Sequence, residues 1–146
     1  MRPSLLDHLG ILATIKWFCR EFQTTYPGIR IEQQIGVQED EVSPSVKIVI
    51  FRIMQEALNN IAKHSKADLV NLSLEKTNGM LEICVRDNGQ GFDVNEAISK
   101  EKSERGLGLS SMEQRAKFSG GCFKVETNKG KGTLIRVSWP LQVTTE

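Results

Sequence analysis

The sequence predicts an α+β fold, a two-layer α/β sandwich in which a mixed, mostly antiparallel sheet carries helices on one face. The first observation is alternation, because apolar residues take every second place in the runs VNLSLE and MLEICVRD. Such strands bury one face and leave the other exposed to solvent, which is typical of antiparallel-rich sheets rather than of doubly wound parallel ones. The second observation is that residues 4–25 and 43–65 repeat apolar residues at helical spacing. Helices covering one face of the sheet satisfy both patterns.

The first predicted helix runs from Ser4 to about Thr25, where Tyr26-Pro27-Gly28 ends it. Its apolar residues recur at steps of three and four: Leu5, Leu9, Leu12, Ile15, Phe18 and Phe22. The run IRIEQQI alternates and predicts a strand. Ser43 as N-cap and Pro44 at the first helical position predict the start of a central helix of about five turns.

The second half of the chain predicts two hairpins and a helix. Two alternating strands meet at Asn78-Gly79, which is the strongest short-range hairpin signal. GLGLSSMEQRAKF predicts a helix, and GGCFKVETNKGKGTLIRVSWP a last hairpin that ends at Pro140. No repeat or linker divides the chain, so residues 1–146 are predicted to form one domain.

Composition excludes several classes of protein. The 19 basic and 18 acidic residues give a net charge of +1, which argues against broad capture of nucleic acid. No apolar run approaches the roughly 18 residues of a spanning helix, and no signal peptide opens the chain, so we expect no direct membrane contact. The three cysteines form no C-x-x-C pair and are interpreted as small apolar fillers in a reducing compartment.

The run VRDNGQGF, residues 85–92, reads as a buried strand that ends in an acid and two glycines. Asn88-Gly89 alone favours a tight hairpin. The residues that follow, DVNEAISKEKSER, do not alternate and are crowded with charge, so no returning strand is predicted. These glycines therefore serve another purpose than a simple reversal.

The central helix carries a stripe that begins apolar and ends polar. At about 100° per residue, its members fall on one margin of the apolar arc: Val49, Ile53, Glu56, Asn60 and Lys63. One interpretation is a solvated border of a core helix. The other is a site, because a carboxylate, an amide and an amine together offer a proton acceptor, a metal ligand and a phosphate-pairing charge. His64 is predicted to lie further into the apolar arc.

Three G-x-G elements occur, at residues 89–91, 106–108 and 130–132. The second opens directly into a predicted helix, where backbone N–H groups and missing Cβ atoms favour an anion. It is neither a Walker loop nor a Rossmann fingerprint. The third is compatible with the tip of a hairpin, and both interpretations stay open.

Taken in order, these motifs resemble the boxes of one family. QEALNNIAKHSKA resembles the N box, DNGQGF and GLGLSSMEQRA the two glycine boxes, and GKGT the last box of the ATP-binding catalytic domain of bacterial sensor histidine kinases. This domain has the Bergerat-type ATP-binding fold of gyrase-type ATPases, the ninety-kilodalton heat-shock chaperones and anti-sigma-factor kinases. RPSLLDHLGI, within residues 1–28, resembles the junction that precedes it in the nitrate/nitrite-sensor subfamily.

The resemblance implies a role for each candidate residue toward ATP and Mg²⁺. At the adenine end, Asp87 accepts from the adenine amino group and Gly89 and Gly91 make room for base and ribose. Two further residues, Thr133 and Met112, match positions that line that end, Met112 also being interpretable as core.

At the phosphate end, the resemblance makes Asn60 the magnesium ligand, Glu56 the base or water-orienting acid, and Lys63 a phosphate contact. Residues 93–105 become a lid over the phosphates, with Gly106 and Gly108 as its hinge and phosphate contact.

One part of the family pattern is absent from the sequence. No residue matches the motif of the phosphoacceptor histidine, and His8 stands in the junction context instead. We therefore expect a catalytic fragment of a cytoplasmic kinase module, or a stand-alone relative. Its partners would be a dimerisation domain carrying the histidine and, through that domain, a response regulator. Whether a longer protein is anchored in a membrane stays open. Two alternatives are a nucleotide-gated protein-binding module and an anti-sigma-type serine kinase.

Overall fold

The computed structural model describes residues 4–91 and 108–141, and these residues form an α+β fold as predicted. Their helices and strands are α1 Ser4–Thr25, β1 Arg30–Gly36, α2 Pro44–Asn60, β2 Leu69–Thr77, β3 Met80–Asp87, α3 Leu109–Phe118, β4 Cys122–Thr127 and β5 Thr133–Pro140. A 3-10 turn, Glu39–Glu41, precedes α2, and a π-helical turn, Ile61–Ser65, continues it.

The five strands form one mixed sheet in the order β1-β2-β3-β5-β4. Only β1 and β2 pair in parallel, and the other three pairs are antiparallel. Alternate residues of β2, β3 and β5 are buried with residues of the three helices in one core: Val70, Leu72, Leu74, Leu81, Ile83, Val85, Ile135, Val137 and Trp139. The residues between them are more exposed, so the two-layer prediction with helices on one face is confirmed.

Local signals placed two boundaries correctly. Asn78 and Gly79 have φ of 52° and 78°, the left-handed values that a two-residue type I′ turn requires, and Thr77 pairs with Met80 across the turn. Ser43 is the N-cap of α2 and Pro44 its first residue, as predicted, although the Ser43 side chain makes no capping hydrogen bond.

The start of α1 differs from the predicted apolar stripe. Gly10 has φ 87° and ψ 177°, so the helix is broken there and restarts at Ile11. Leu9, predicted to face the core, is 61% exposed, whereas Leu6 and Ile11 are buried. A single break rotates the residues before it relative to those after it, and a continuous 3.6-residue period therefore fails across Gly10.

A second correction concerns the end of α2. His64 is exposed rather than turned toward the core. Residues 61–65 form a π-helical turn, which holds more residues per turn than an α-helix, so the predicted 100° spacing no longer applies beyond Asn60. Lys63 lies in the same turn and is exposed, as the polar end of the predicted stripe requires.

The cysteines do not share one environment. Cys19 is fully buried, and burial raises the pKa of its thiol to about 12. Cys122 is exposed on β4, so the interpretation as an apolar filler is wrong for this residue.

Across the described ranges, no helix has the length and apolar content that would let it span a membrane.

Candidate functional site

A buried carboxylate ends strand β3. Asp87 continues the inward-facing series of Val85 and is 6% exposed. Its Oδ1 accepts a hydrogen bond from the Gly89 N–H at 2.8 Å, which orients the carboxylate at the glycine turn. Burial raises the pKa of Asp87 above its ordinary value, although the N–H groups of Gly89 and Thr133 lower it in part. Because burial makes the charged form unfavourable, a ligand that donates a hydrogen bond to this carboxylate would stabilise it, which is typical of a functional site.

Asn88 holds the chain beside Asp87 in place. Its Oδ1 accepts from the N–H groups of Asp68 and Leu69, both at 3.1 Å, and its amide nitrogen donates to the Asp68 carboxylate at 2.7 Å. The Asn88 side chain therefore links the glycine turn to the start of β2, and no tight hairpin forms at Asn88-Gly89.

The two glycines of this turn allow backbone segments to approach closely. A Cβ atom on Gly89 would overlap the carbonyl oxygen of Ser65, and one on Gly91 would overlap that of Asn128. The family resemblance implies that both glycines make room for base and ribose. The structure adds a different reason for them, since the turn is packed between the end of α2 and the hairpin that joins β4 to β5.

The third G-x-G element, residues 130–132, lies at the tip of that hairpin, because Thr127 pairs with Thr133 around it. It also touches the glycine turn, where the Gly130 N–H donates to the Gln90 carbonyl. A concavity of about 200 Å³ lies beside this hairpin, at the end of β3. The described residues that line it are Arg86, Asp87, Glu126, Thr127, Asn128, Lys131, Gly132, Thr133 and Leu134.

Thr133 and Met112, both predicted at the adenine end, lie in different surroundings. Thr133 pairs with Asp87 across β3 and β5, lines the concavity, and its Oγ1 lies 2.9 Å from that of Thr127. Met112 is 1% exposed within the hydrophobic core and is not among the residues that line this concavity. The structure thus brings Asp87 and Thr133 together and gives Met112 a packing role.

The polar end of α2 meets the start of α3. Glu56 and Asn60 lie one turn apart on α2 and are partly buried. Gly108, the N-cap of α3, lies so close to Glu56 that a Cβ atom there would be 2.7 Å from the carboxyl carbon. Glu56, Asn60 and Gly108 therefore belong to one region, with the exposed Lys63 in the π-helical turn beyond them.

Some predicted residues lie outside the described residues, namely Gly106 and the lid, residues 93–105. One residue that sequence reasoning missed is Ser65, whose carbonyl oxygen accepts from the Gln90 N–H at 2.7 Å and so joins α2 to the glycine turn. A serine has no distinctive spacing, and no signal in the sequence would have found it.

The fold and the buried carboxylate at a glycine turn define a nucleotide-binding domain. A family model described as "Histidine kinase-, DNA gyrase B-, and HSP90-like ATPase" matches residues 45–143, which is more than half of the chain. The chain belongs to this family, and the predicted resemblance is confirmed. It is an ATP-binding domain of the histidine kinase type.

Relatives agree with this assignment. Two proteins named "Signal transduction histidine-protein kinase/phosphatase DegS" are each 33% identical to the chain. The one from Bacillus subtilis (strain 168) aligns over 97% of this chain and 37% of its own length, and the one from Brevibacillus brevis over 100% and 36%. The chain therefore spans little more than a third of these curated relatives.

Solved structures show the same fold. A histidine kinase domain from the Erythrobacter litoralis EL346 blue-light activated histidine kinase has a TM-score of 0.72 at 21% identity, covering 90% of this chain and 61% of that one. The mycobacterial sensor histidine kinase MprB has a TM-score of 0.67 at 21% identity, covering 92% and 96%. At these identities the likeness concerns the fold alone.

Proposed function

We propose that this chain binds Mg-ATP and donates the γ-phosphate to a histidine on a dimerisation domain of the same kinase. The observation that carries the proposal is Asp87, a buried carboxylate held by the Gly89 N–H beside a concavity. Its environment suits an adenine amino group, because a hydrogen-bond donor that binds there stabilises the charged form of the carboxylate, which burial disfavours.

Asp87 also explains the choice of base. A carboxylate accepts from the adenine amino group and repels the carbonyl oxygen that guanine carries at the same place. Thr133 supports this end of the site from the neighbouring strand. Gly89 and Gly91 contribute by allowing the turn to pack tightly, so the position of Asp87 is fixed before a nucleotide binds.

The phosphate end is assigned to the polar end of α2. The Asn60 amide oxygen is a hard oxygen donor of the kind that Mg²⁺ uses, usually together with substrate phosphates and water. When bound, the ion neutralises charge on the transferring phosphoryl group. Glu56 orients the incoming nucleophile or accepts its proton, Lys63 contacts phosphate, and Gly108 offers its backbone at the start of α3, with Gly106 before it.

The partner domain follows from the length of the relatives. Because the chain matches little more than a third of each, the acceptor histidine is assigned to a separate dimerisation domain, which passes the phosphoryl group to a response regulator. The three cysteines are free thiols, which favours a reducing compartment, the cytoplasm.

A titration and a transfer assay test this function. ATP, ADP and GTP are titrated with Mg²⁺ into the wild-type chain and into Asp87→Asn, whose Oδ1 still accepts from Gly89. We expect ATP and ADP to bind, GTP to bind much more weakly, and Asp87→Asn to lose adenine binding. Equal affinity for GTP, or an unaffected Asp87→Asn, would refute the assignment.

The second arm separates the kinase from a serine kinase or a binding module. Labelled ATP is added to the chain with and without a dimerisation domain taken from a relative. Acid-labile label on that domain supports histidine transfer, acid-stable label indicates a serine kinase, and binding without any transfer indicates a nucleotide-gated binding module.

A further inference from the structure

Ser65 closes the π-helical turn at the end of α2. Its hydroxyl donates to the Ile61 carbonyl at 2.9 Å and accepts from the Ala67 N–H at 3.1 Å, and the residue is 9% exposed. The next residue, Lys66, has φ 57°, a left-handed conformation that is uncommon outside glycine. One buried hydroxyl therefore fixes both the register of the turn and the exit of the chain toward β2.

The same residue is tied to the glycine turn. The Ser65 carbonyl accepts from the Gln90 N–H at 2.7 Å, and the neighbouring carbonyl of His64 accepts from the Gln90 side chain. The space that a Cβ atom on Gly89 would need is taken by the Ser65 backbone. This set of contacts, here named the Ser65–Gln90 contact, is the place where α2 and the turn after β3 meet.

We propose that Ser65 is a positioning residue that sets the spacing between the two halves of the nucleotide site. Lys63 and Asn60 stand two and five residues before Ser65, respectively, and Asp87 stands three residues before Gln90. ATP has to reach both halves at once, because its base goes to Asp87 and its phosphates to α2. The inference rests on the proposed function of these residues.

The hydroxyl is the part of Ser65 that matters. Without it, the Ala67 N–H loses its acceptor in a buried place and the bond to the Ile61 carbonyl is lost as well, and an unpaired buried group is costly. The segment then gains by returning to α-helical register, which rotates Lys63 and moves the Ser65 carbonyl away from Gln90. The adenine end and the phosphate end of the site then move apart, although the residues that form each end are unchanged.

The two ligands should respond differently to the loss of the hydroxyl, which a loss of stability alone would not produce. Adenosine uses the adenine half only, so its affinity should stay within about twofold in Ser65→Ala. Mg-ATP uses both halves, and its affinity should fall by about fivefold to tenfold, the effect of one hydrogen bond of ordinary strength. Ser73→Ala, on the open face of β2, is the matched control and should change neither affinity.

Both affinities are measured by NMR chemical-shift titration, with the melting temperature of each variant recorded. Gln90→Ala, which removes only the side-chain bond to His64, should shift the ATP to adenosine ratio in the same direction and serves if Ser65→Ala does not fold. Equal losses for both ligands, or an unchanged ratio in the variants that fold, would overturn the proposal.

Asp87→Asn is titrated in parallel to keep the two proposals apart. If it loses both ligands while the Ser65 and Gln90 variants keep the wild-type ratio, the proposed function stands and the positioning role is wrong. If Asp87→Asn binds both ligands as the wild type does, the site itself is misassigned and the positioning role falls with it.

Discussion

Gly108 lies against the carboxylate of Glu56, although the two residues belong to different helices. A Cβ atom on Gly108 would be 2.7 Å from Glu56 Cδ and 2.9 Å from its Oε2. Gly108 also has φ 70°, which L side chains rarely adopt. The start of α3 and the acid on α2 are therefore fitted to each other, and the fit depends on a missing side chain.

Gly108→Ala should consequently weaken Mg-ATP binding and phosphotransfer, because the added methyl group displaces Glu56 or the first turn of α3. Gly120→Ala is the matched control, since Gly120 has φ 84° but open space around it. Both variants lose about 1 kcal/mol or more from the left-handed conformation. Similar melting temperatures with a binding defect in Gly108→Ala alone are expected, and equal binding in the two would contradict the role of this contact.

Asp87 should make stability depend on pH with a definite sign. Its folded pKa is raised by burial, so the stability that the protonated carboxyl provides is complete below the unfolded pKa, about 3.9, and is lost as pH rises through the folded value. Asp87→Asn lacks this loss. The melting temperature of the variant minus that of the wild type should therefore increase from low pH toward neutrality and then level off. Thermal unfolding of both proteins at several pH values measures it, and a difference that declines over the same range would show the opposite sign.

Asn60 and Glu56 should separate binding from chemistry. Asn60→Ala removes the proposed metal ligand, so Mg²⁺-dependent ATP binding should weaken. Glu56→Gln keeps size and hydrogen bonding, so binding should survive while transfer to an added dimerisation domain falls by about 10²-fold, as for a lost general base. Titration and transfer assays on both variants test this separation, and circular dichroism checks that both variants fold. Two solvated residues on a helix border would leave both measurements near the wild-type values.

Glu39 should stabilise the restart of α1. Its carboxylate accepts from the N–H groups of Ile11 at 2.8 Å and Leu12 at 3.1 Å and pairs with Lys47 at 2.7 Å. Burial raises the pKa of Glu39, but the bonds from Lys47, Leu12 and Ile11 outweigh burial and the pKa is lowered. The stabilisation is therefore present above the unfolded pKa and is lost as pH falls through the folded one.

Glu39→Ala should cost about 1 kcal/mol at neutral pH, as other lost helix caps do, measured by urea unfolding. The control is Asp40→Ala, which removes an exposed acid of the same 3-10 turn that caps no part of α1. An effect no larger than that of the control would rule out the capping role.

The sequence by itself determined what depends on neighbours along the chain. Ser43-Pro44 predicted the start of α2, and Asn78-Gly79 predicted the first hairpin. Alternation in β2 and β3 predicted which face of the sheet is covered. The glycines that follow Asp87 singled out the end of β3 as a candidate site, and the structure places Asp87 there as a buried residue. These signals are readable because capping, left-handed turns and strand periodicity act over a few residues.

The tertiary structure decided what depends on residues far apart. The Glu39 carboxylate reaches the restart of α1 from 28 positions away, and Glu56 faces a glycine on another helix. The break at Gly10 and the π-helical turn shifted Leu9 and His64 away from their predicted sides, because periodicity assumes one unbroken helix. Ser65 shows the same dependence in part, since the bonds of its hydroxyl are local but its carbonyl gains a partner only when the fold brings Gln90 to it. The pattern of neighbouring residues in the sequence does not indicate such long-range contacts, which are visible only in the packed structure.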